Sequence, residues 1–227
     1  MDFLASLDKN EVVCFIDAYD VIQLRPLDEM EELFKSMAKI SNKGLVVGCE
    51  QITSTSNIIS SLLYFGRCQR NKILNAGTYV GYVHAIQALL QYGMQFENSS
   101  DDQVNMIKYC KQQPSSFHVD CDNVFFLTIV GTDVDINQKN MMVSRNGIMY
   151  NGLKPFFLHG ASNTNMNKVI ARLGYTMSDA DEKRIHAHMI RNRFKKYIYY
   201  AKQKLWLYIV FAVLGILLMI LISRTLA

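Results

Sequence analysis

Short runs of apolar residues, bounded by polar residues or glycine, recur along the first 160 positions of the chain. They are VVCFI at 12–16, LVVG at 45–48, VFFLTIV at 124–130 and PFFLHG at 155–160. Runs of this length, rich in β-branched and aromatic residues, are typical of buried β-strands. The pattern therefore predicts four strands, the first ending at Asp17 and the last at His159.

Segments with apolar side chains at helical spacing, or with acidic residues at their start, lie between these runs. They predict helices at 27–37, 57–65, 79–92 and 101–112. The glycine in Asn75–Gly77 predicts a tight turn there. Strands that alternate with helices are typical of an α/β sheet, so the predicted fold class is α/β.

The longest apolar run lies near the end of the chain. Residues 205–222 read LWLYIVFAVLGILLMILI, and a helix needs about 20 residues to cross a membrane. Trp206 and Tyr208 lie at the start of the run, where aromatic rings favour the membrane interface. The run predicts a transmembrane helix at 205–223, followed by a short tail at 224–227. A buried core helix is the competing interpretation.

Charge divides the chain near residue 182. Residues 183–227 hold nine of the 24 Lys and Arg and no Asp or Glu, which leaves 15 basic and 20 acidic residues before them. An acidic body argues against nucleic-acid binding. The basic stretch predicts a juxtamembrane helix at 178–204 that attracts anionic membrane lipid, and a nucleic-acid patch is the competing interpretation of this stretch.

The same charges predict how the chain sits in a membrane. Eight basic residues lie just upstream of the apolar run, between Lys183 and Lys204, and only Arg224 follows it, so the positive-inside rule places the upstream side in the cytoplasm. The first residues, MDFLASLDKNEVV, lack the basic and apolar regions of a signal peptide. We therefore expect a single-pass, tail-anchored protein whose domain at 1–177 faces the cytosol.

The spacing of the cysteines indicates neither a zinc site nor a disulfide framework. Cys14, Cys49, Cys68, Cys110 and Cys121 form no Cys-x-x-Cys pair, and their number is odd. Zinc sites and disulfide frameworks are recognised by such spacing. The sequence therefore predicts scattered, buried thiols, without disulfide partners, in a reducing compartment.

Two carboxylates follow the first predicted strand. Asp17 and Asp20 are three positions apart in Asp-Ala-Tyr-Asp, and at a strand end both can reach one divalent cation such as Mg²⁺ or Mn²⁺. Solvated acids in a turn are the competing interpretation. Phosphoryl transfer of the haloacid-dehalogenase type is less favoured, because it needs acids two positions apart.

Further candidate groups follow along the chain. Asn75 and Gly77 lie after Ile73-Leu74. The pair Asp101 and Asp102 opens a predicted helix, where compensation of the helix dipole is the simpler explanation. His159 ends the last strand and could complete a Mn²⁺ site with the two carboxylates. Asp133-Val134-Asp135 resembles a metal-binding DxD motif, but its polar, turn-like setting predicts that it has no such role.

Four of these segments occur in an order that carries a resemblance. FIDAYDVI, ILNAGTYVGY, SSDDQV and PFFLHG together resemble the glycosyltransferase domain of procollagen lysyl hydroxylases and the related collagen glycosyltransferases. That family has an Asp-x-x-Asp variant of DxD with a tyrosine between the acids, then an Asn-Ser-Gly-like segment, an acidic run before glutamine, and a strand ending in His-Gly. The resemblance covers about residues 4–165.

The resemblance implies a GT-A-like, Rossmann-like fold that transfers glucose or galactose from a UDP-sugar with Mn²⁺. It implies that Asp17, Asp20 and His159 bind the metal and that Tyr19 lies near the uridine. Asn75 and Gly77 would line the sugar and acceptor cleft, and Gly160 would lie near the donor. It further implies that Asp101 and Asp102 face the acceptor or the sugar. Protein hydroxylysine or a glycan is the implied acceptor, and pairing of two chains in a homo-oligomer stays open.

The chain also departs from that family. About 80 residues precede the Asp-x-x-Asp segment in the family, whereas 16 precede Asp17 here, so we expect a domain that lacks its first part. The family's His-Gly-Asn-Gly segment reads His159-Gly160-Ala161-Ser162 here. A catalytically degenerate domain, serving as a membrane-bound interaction or structural protein, is the alternative function. A luminal enzyme with further sequence upstream of Met1 is a third interpretation.

Overall fold

The computed structural model describes residues 2–52, 68, 73–96, 101–130, 140–161, 164–176 and individual positions between 178 and 216. The chain divides into two compact units, Met1–Met177 and Ser178–Ala227. In the first unit the described residues form nine strands and five α-helices. The predicted helix at 57–65 and the Asp133-Val134-Asp135 segment lie outside the described residues.

The elements follow one another in a mixed order of strands and helices. The strands are β1 (Val12–Ile16), β2 (Val21–Gln23), β3 (Leu45–Ile52), β4 (Leu74–Tyr82), β5 (Phe117–Asp120), β6 (Phe126–Val130), β7 (Met141–Ser144), β8 (Gly147–Tyr150) and β9 (Phe157–His159). The helices are α1 (Asp2–Ala5), α2 (Leu27–Ser41), α3 (Val83–Met94), α4 (Asp102–Gln112) and α5 (Asn167–Arg172).

Seven strands form one mixed sheet. Its order is β1-β4-β3-β6-β9-β2, and β5 pairs with the first half of β3. Strands β3, β6 and β9 run parallel, β4 runs antiparallel to both β1 and β3, and β2 runs antiparallel to β9. Strands β7 and β8 form a separate antiparallel hairpin. The α/β class predicted from the sequence is confirmed.

Helix α2 covers one part of the sheet through a stripe of side chains four residues apart. Met30, Phe34 and Ala38 are buried, and they pack in one apolar cluster with Val46, Val80, Phe126 and Phe157 of the sheet. Spacing of four residues places side chains on one face of a helix. The acidic first turn suits the helix dipole, and Asn42, with a φ of 54°, ends the helix in the left-handed region.

Helices α3 and α4 bury their apolar faces in a second cluster. Ile86 and Leu89 of α3 and Met106 and Ile107 of α4 pack there with Leu45 and Val47 of β3. Since Val46 and Val47 alternate along β3, these helices lie on the opposite face of the sheet from α2. A sheet covered on both faces holds its strand ends in fixed positions, and these ends carry the candidate chemistry.

Two predictions about residues 75–82 are wrong, because these residues lie in β4. Asn75 and Gly77, predicted in a turn, lie in the strand. The helix predicted at 79–92 begins only at Val83, because residues 78–82 pair with β1 on one side and residues 79–81 with β3 on the other. Apolar spacing alone did not distinguish the fully buried end of this strand from the helix that follows it directly.

The cysteine prediction is wrong. Cys49 is bonded to Cys121 and Cys68 to Cys110, and Cys14 is the one free thiol among the five cysteines. Burial raises the pKa of the Cys14 thiol to about 12, so it is protonated at neutral pH. Partners separated by 72 and 42 residues meet only through the fold, and sequence spacing therefore gave no sign of them.

The described positions of the second unit, from Asp179 to Ile216, are helical. Most residues of the predicted basic helix at 178–204 and of the predicted span at 205–223 lie outside the described residues. Within the part of the chain that is described, no helix is long and apolar enough to cross a membrane.

Candidate active site

The linker between β1 and β2 carries the first two candidate ligands. Residues 17–20 join these two strands, which are the first and last in the order of the sheet. The Asp17 N–H donates to the Gly77 carbonyl at 2.9 Å, and the Gly160 N–H donates to the Asp20 carbonyl at 2.9 Å. Because Val21 of β2 is the register partner of His159 of β9, the pairing of β2 with β9 places Asp20 next to the histidine.

Asp17, Asp20 and His159 form a compact cluster of potential metal ligands. The His159 Nε2 atom is 3.6 Å from Asp17 Oδ2 and 3.4 Å from Asp20 Oδ1, and one ligand atom from each residue lies within 4.8 Å of the others. The His159 side chain is 2% exposed, whereas those of Asp17 and Asp20 are 49% and 36% exposed. The cluster is therefore anchored at a buried histidine and open on its acidic side.

The donor set of this cluster fits a divalent cation. Two carboxylate oxygens and one imidazole nitrogen suit Mn²⁺ and related ions, and a half-open site leaves coordination positions for a ligand from solution. Burial raises the pKa of Asp17, His159 acts in the opposite direction, and Asp20 and Asp102 raise it further. A bound cation would offset the mutual repulsion of these carboxylates.

Gly77 lies against the cluster and leaves space for it. A Cβ atom at this position would overlap the Asp17 carboxylate and the His159 ring. The Gly77 N–H donates to Asn75 Oδ1 at 2.9 Å. The glycine is therefore required by the close approach of two ligands to the β4 backbone.

Asn75 belongs to a buried polar network beside the cluster. Its Nδ2 atom lies 3.4 Å from Glu50 Oε1 and 3.5 Å from Gln103 Oε1, and Gln103 Nε2 donates to the same Glu50 oxygen at 2.9 Å. Each of the three residues is less than 10% exposed. Sequence reasoning did not identify Glu50, although a glutamate inside an apolar strand is itself a signal, since buried carboxylates need partners.

The two acidic residues at the start of α4 make different contacts. Asp101 is the N-cap, and its Oδ1 accepts from the Val104 N–H at 3.2 Å. Asp102 Oδ1 accepts from the Gln103 N–H at 2.8 Å, and this exposed carboxylate raises the pKa of Asp17. Burial first and Asp102 second raise the pKa of Tyr79 to about 12. Asp102 is thus the member of the pair linked to the cluster.

Tyr19 and Gly160 flank the cluster in different ways. The Tyr19 side chain, between the two aspartates in sequence, is fully exposed, so its ring is free to stack on a ligand. Gly160 is buried, and a Cβ there would overlap the Met166 side chain. Packing therefore explains the small residue at 160, and its N–H positions Asp20.

Comparison with known protein families identifies the family of this chain. The family model described as the PLOD GT domain matches residues 3–181. A Drosophila melanogaster procollagen-lysine,2-oxoglutarate 5-dioxygenase is similar to the chain, with 26% identity over 162 residues. The alignment covers 67% of this chain and 22% of that relative. The chain belongs to the PLOD GT domain family of glycosyltransferase domains.

Proposed function

We propose that the chain is a Mn²⁺-dependent hexosyltransferase that uses a UDP-sugar, with glucose or galactose as the transferred sugar. The observation that carries the proposal is the convergence of Asp17, Asp20 and His159 on one point in a chain of this family. The donor set fits the metal, and its open side gives room for a diphosphate. Protein hydroxylysine or a glycan is the acceptor we propose.

Each residue of the site has a role in this proposal. Asp17, Asp20 and His159 would hold the cation, which supplies positive charge beside the departing diphosphate. Tyr19, fully exposed beside them, would contact the uridine.

The remaining residues would shape the cleft. Asn75 and Gly77 would line it, with Gly160 acting through the Asp20 backbone. Asp102 would face the sugar or the acceptor, because the Asp101 carboxylate caps α4. A site that holds both substrates in place supplies much of the rate by orientation alone.

We further propose that the domain matures in an oxidising compartment and is held at a membrane by residues 205–223. Two disulfides among five cysteines support the first part, because such bonds are rare in reducing compartments. The apolar sequence LWLYIVFAVLGILLMILI supports the second. Asn98-Ser99-Ser100 is a glycosylation acceptor pattern outside the described residues. Glycan on Asn98 in cells would support a luminal domain, and an unmodified Asn98 with reduced cysteines would contradict it.

The experiment that tests the enzymatic proposal is calorimetric titration of UDP into the full chain with and without Mn²⁺. We expect binding that needs the metal and is lost in Asp17→Asn. A matched control is Asp28→Asn in the exposed first turn of α2, which should bind as the parent does. A folded protein that binds no UDP under either condition would contradict the proposal and favour a non-catalytic interaction module.

A further inference from the structure

The second unit carries a row of exposed apolar side chains at helical positions. Ile190, Phe194 and Ile198 are helical, and they are 57%, 67% and 43% exposed. Because residues four positions apart lie on one face of a helix, these three side chains form one stripe. An exposed apolar surface that is bordered by polar residues marks a site for a protein or for a membrane.

Basic residues accompany this stripe along the chain. Lys183, Arg184 and Arg191 are helical and exposed, and Arg191 lies along the edge of the stripe because Phe194 follows it by three positions. Residues 183–204 hold eight Lys and Arg and no Asp or Glu. The segment therefore combines an apolar face with positive charge that none of its own residues neutralises.

The charge of the segment selects the partner of the stripe. Two copies of the chain would bring like charges together at this face, with no acidic residue in 183–227 to pair with them, and like charges repel. The surface of an anionic phospholipid bilayer provides negative charge for the basic residues and an apolar layer for the stripe. Charge complementarity therefore favours an anionic bilayer over a second copy.

The stripe lies close in sequence to the predicted transmembrane segment. The apolar run at 205–222 begins seven residues after Ile198, and seven residues of helix extend over roughly 10 Å. Within that run Ile209, Val213 and Ile216 are helical and about half exposed, so apolar side chains are accessible to lipid there as well. A chain held in a membrane by 205–223 would thus place the stripe within reach of the bilayer surface.

We propose that the helical segment around the stripe lies on the surface of an anionic phospholipid bilayer. The stripe would enter the interfacial layer, and Lys183, Arg184 and Arg191 would lie near the lipid phosphates. Basic amphipathic helices of this kind bury their apolar face about 5–10 Å deep. The inference rests on the proposed attachment by 205–223, and it adds to that attachment a second membrane contact and the class of lipid that this contact prefers.

The first test places a fluorescent reporter in the stripe of the full chain. Trp206 is the single tryptophan, so Trp206→Phe combined with Phe194→Trp leaves one tryptophan, at position 194. In vesicles of phosphatidylcholine and phosphatidylserine we expect blue-shifted emission that brominated acyl chains quench. The matched control is Trp206→Phe with Ile40→Trp, because Ile40 is 85% exposed on α2 of the first unit, and we expect no quenching there. A blue shift without quenching would show that protein covers the stripe and would overturn the inference.

The second test measures the lipid preference with the same reporter. Quenching should rise with the phosphatidylserine content of the vesicles, and Arg191→Gln should weaken the contact about fivefold, the effect expected of one basic residue near an anionic surface. Lys39→Gln, which removes an exposed charge from α2, should change nothing. Equal quenching in vesicles with and without phosphatidylserine would overturn the assignment of anionic lipid.

Flotation of the full chain with vesicles separates this inference from the proposed attachment. A chain that floats with neutral vesicles while its reporter at position 194 stays unquenched in anionic ones supports the attachment and overturns the inference. A chain that floats only with anionic vesicles, and whose reporter is quenched there, supports the stripe contact and contradicts the attachment by 205–223. A chain that floats with neither kind of vesicle contradicts both.

Discussion

The acidic residues of the candidate metal site differ from the polar network beside them in exposure and in hydrogen bonding. Asp17 and Asp20 have half-exposed or partly exposed side chains and repel one another. Glu50, Asn75 and Gln103 are buried and hydrogen-bonded to one another. The exposed groups are accessible to a ligand from solution, whereas the buried groups satisfy one another within the fold. Changes in the first region should therefore affect binding most, and changes in the second should affect stability most.

Reduction of the disulfides should have the largest effect on stability. The Cys49–Cys121 bond joins β3 to the connection between β5 and β6. Its two cysteines are the sequence neighbours of Glu50 and Asp120. The Cys68–Cys110 bond joins residue 68 to α4. A disulfide contributes about 2–4 kcal/mol, so thiol reductant should lower the unfolding midpoint in urea strongly. Cys14→Ser should leave the midpoint unchanged. A reduced protein as stable as the oxidised one would show that the bonds are absent in solution.

Asp120→Ala should have the next largest effect. The buried Asp120 carboxylate accepts from the N–H groups of Val124, Phe125 and Phe126 at 3.0, 2.7 and 2.8 Å, and it holds the break between β5 and β6. Burial raises the pKa of this carboxyl, and the three donors act against that shift. Loss of all three bonds should cost about 3 kcal/mol.

Denaturant unfolding of Asp120→Ala measures that cost, with Asp122→Ala, whose parent side chain is exposed, as the matched control at less than about 0.5 kcal/mol. Equal midpoints for the two variants would contradict a structural role for the Asp120 carboxylate.

Glu50→Gln should have an intermediate effect. The variant keeps an oxygen that can accept from Gln103 Nε2 but loses the charge that strengthens this bond. We expect a loss of roughly 1 kcal/mol in stability, and Glu50→Ala should lose more because Gln103 and Asn75 both lose an acceptor. Thermal unfolding of the two variants gives the order, and the reverse order would show that the glutamate is tolerated rather than needed.

Asp17→Asn should have the smallest effect on stability. Burial, Asp20 and Asp102 raise the pKa of Asp17, and His159 lowers it. A carboxyl whose pKa is raised on folding contributes stability below its unfolded pKa, and this contribution is lost as the pH rises through the folded pKa. At neutral pH the metal-free variant should thus equal or slightly exceed the parent, within about 0.5 kcal/mol. Marked destabilisation would show that Asp17 serves the fold rather than a ligand.

The difference between the two regions also explains what the sequence revealed. Asp17, Asp20 and His159 directly follow or end strands whose apolar runs are easy to recognise, and the structure brings these three residues together. Glu50 lies inside β3 and acquires a role only from its contacts with Asn75 of β4 and Gln103 of α4. These contacts depend on the pairing of β3 with β4, which local patterns do not specify.

Two sequence-based predictions, for the cysteines and for the end of β4, are wrong for the same reason. The disulfides join cysteines 72 and 42 residues apart, so only the folded chain pairs them. The end of β4 resembles a helix in sequence because it is buried on both faces and joins α3 without a loop. Local periodicity is a weak signal where an element has no polar side.

Direct titration with Mn²⁺, followed by electron paramagnetic resonance, tests the central claim that Asp17, Asp20 and His159 form a metal site. We expect the signal of the free ion to fall as the parent protein binds one equivalent, and to stay unchanged with Asp17→Asn, Asp20→Asn or His159→Gln at the same concentration. The Asp28→Asn control should bind as the parent does. Binding that persists in all three site variants, or that is absent from the folded parent, would contradict the account.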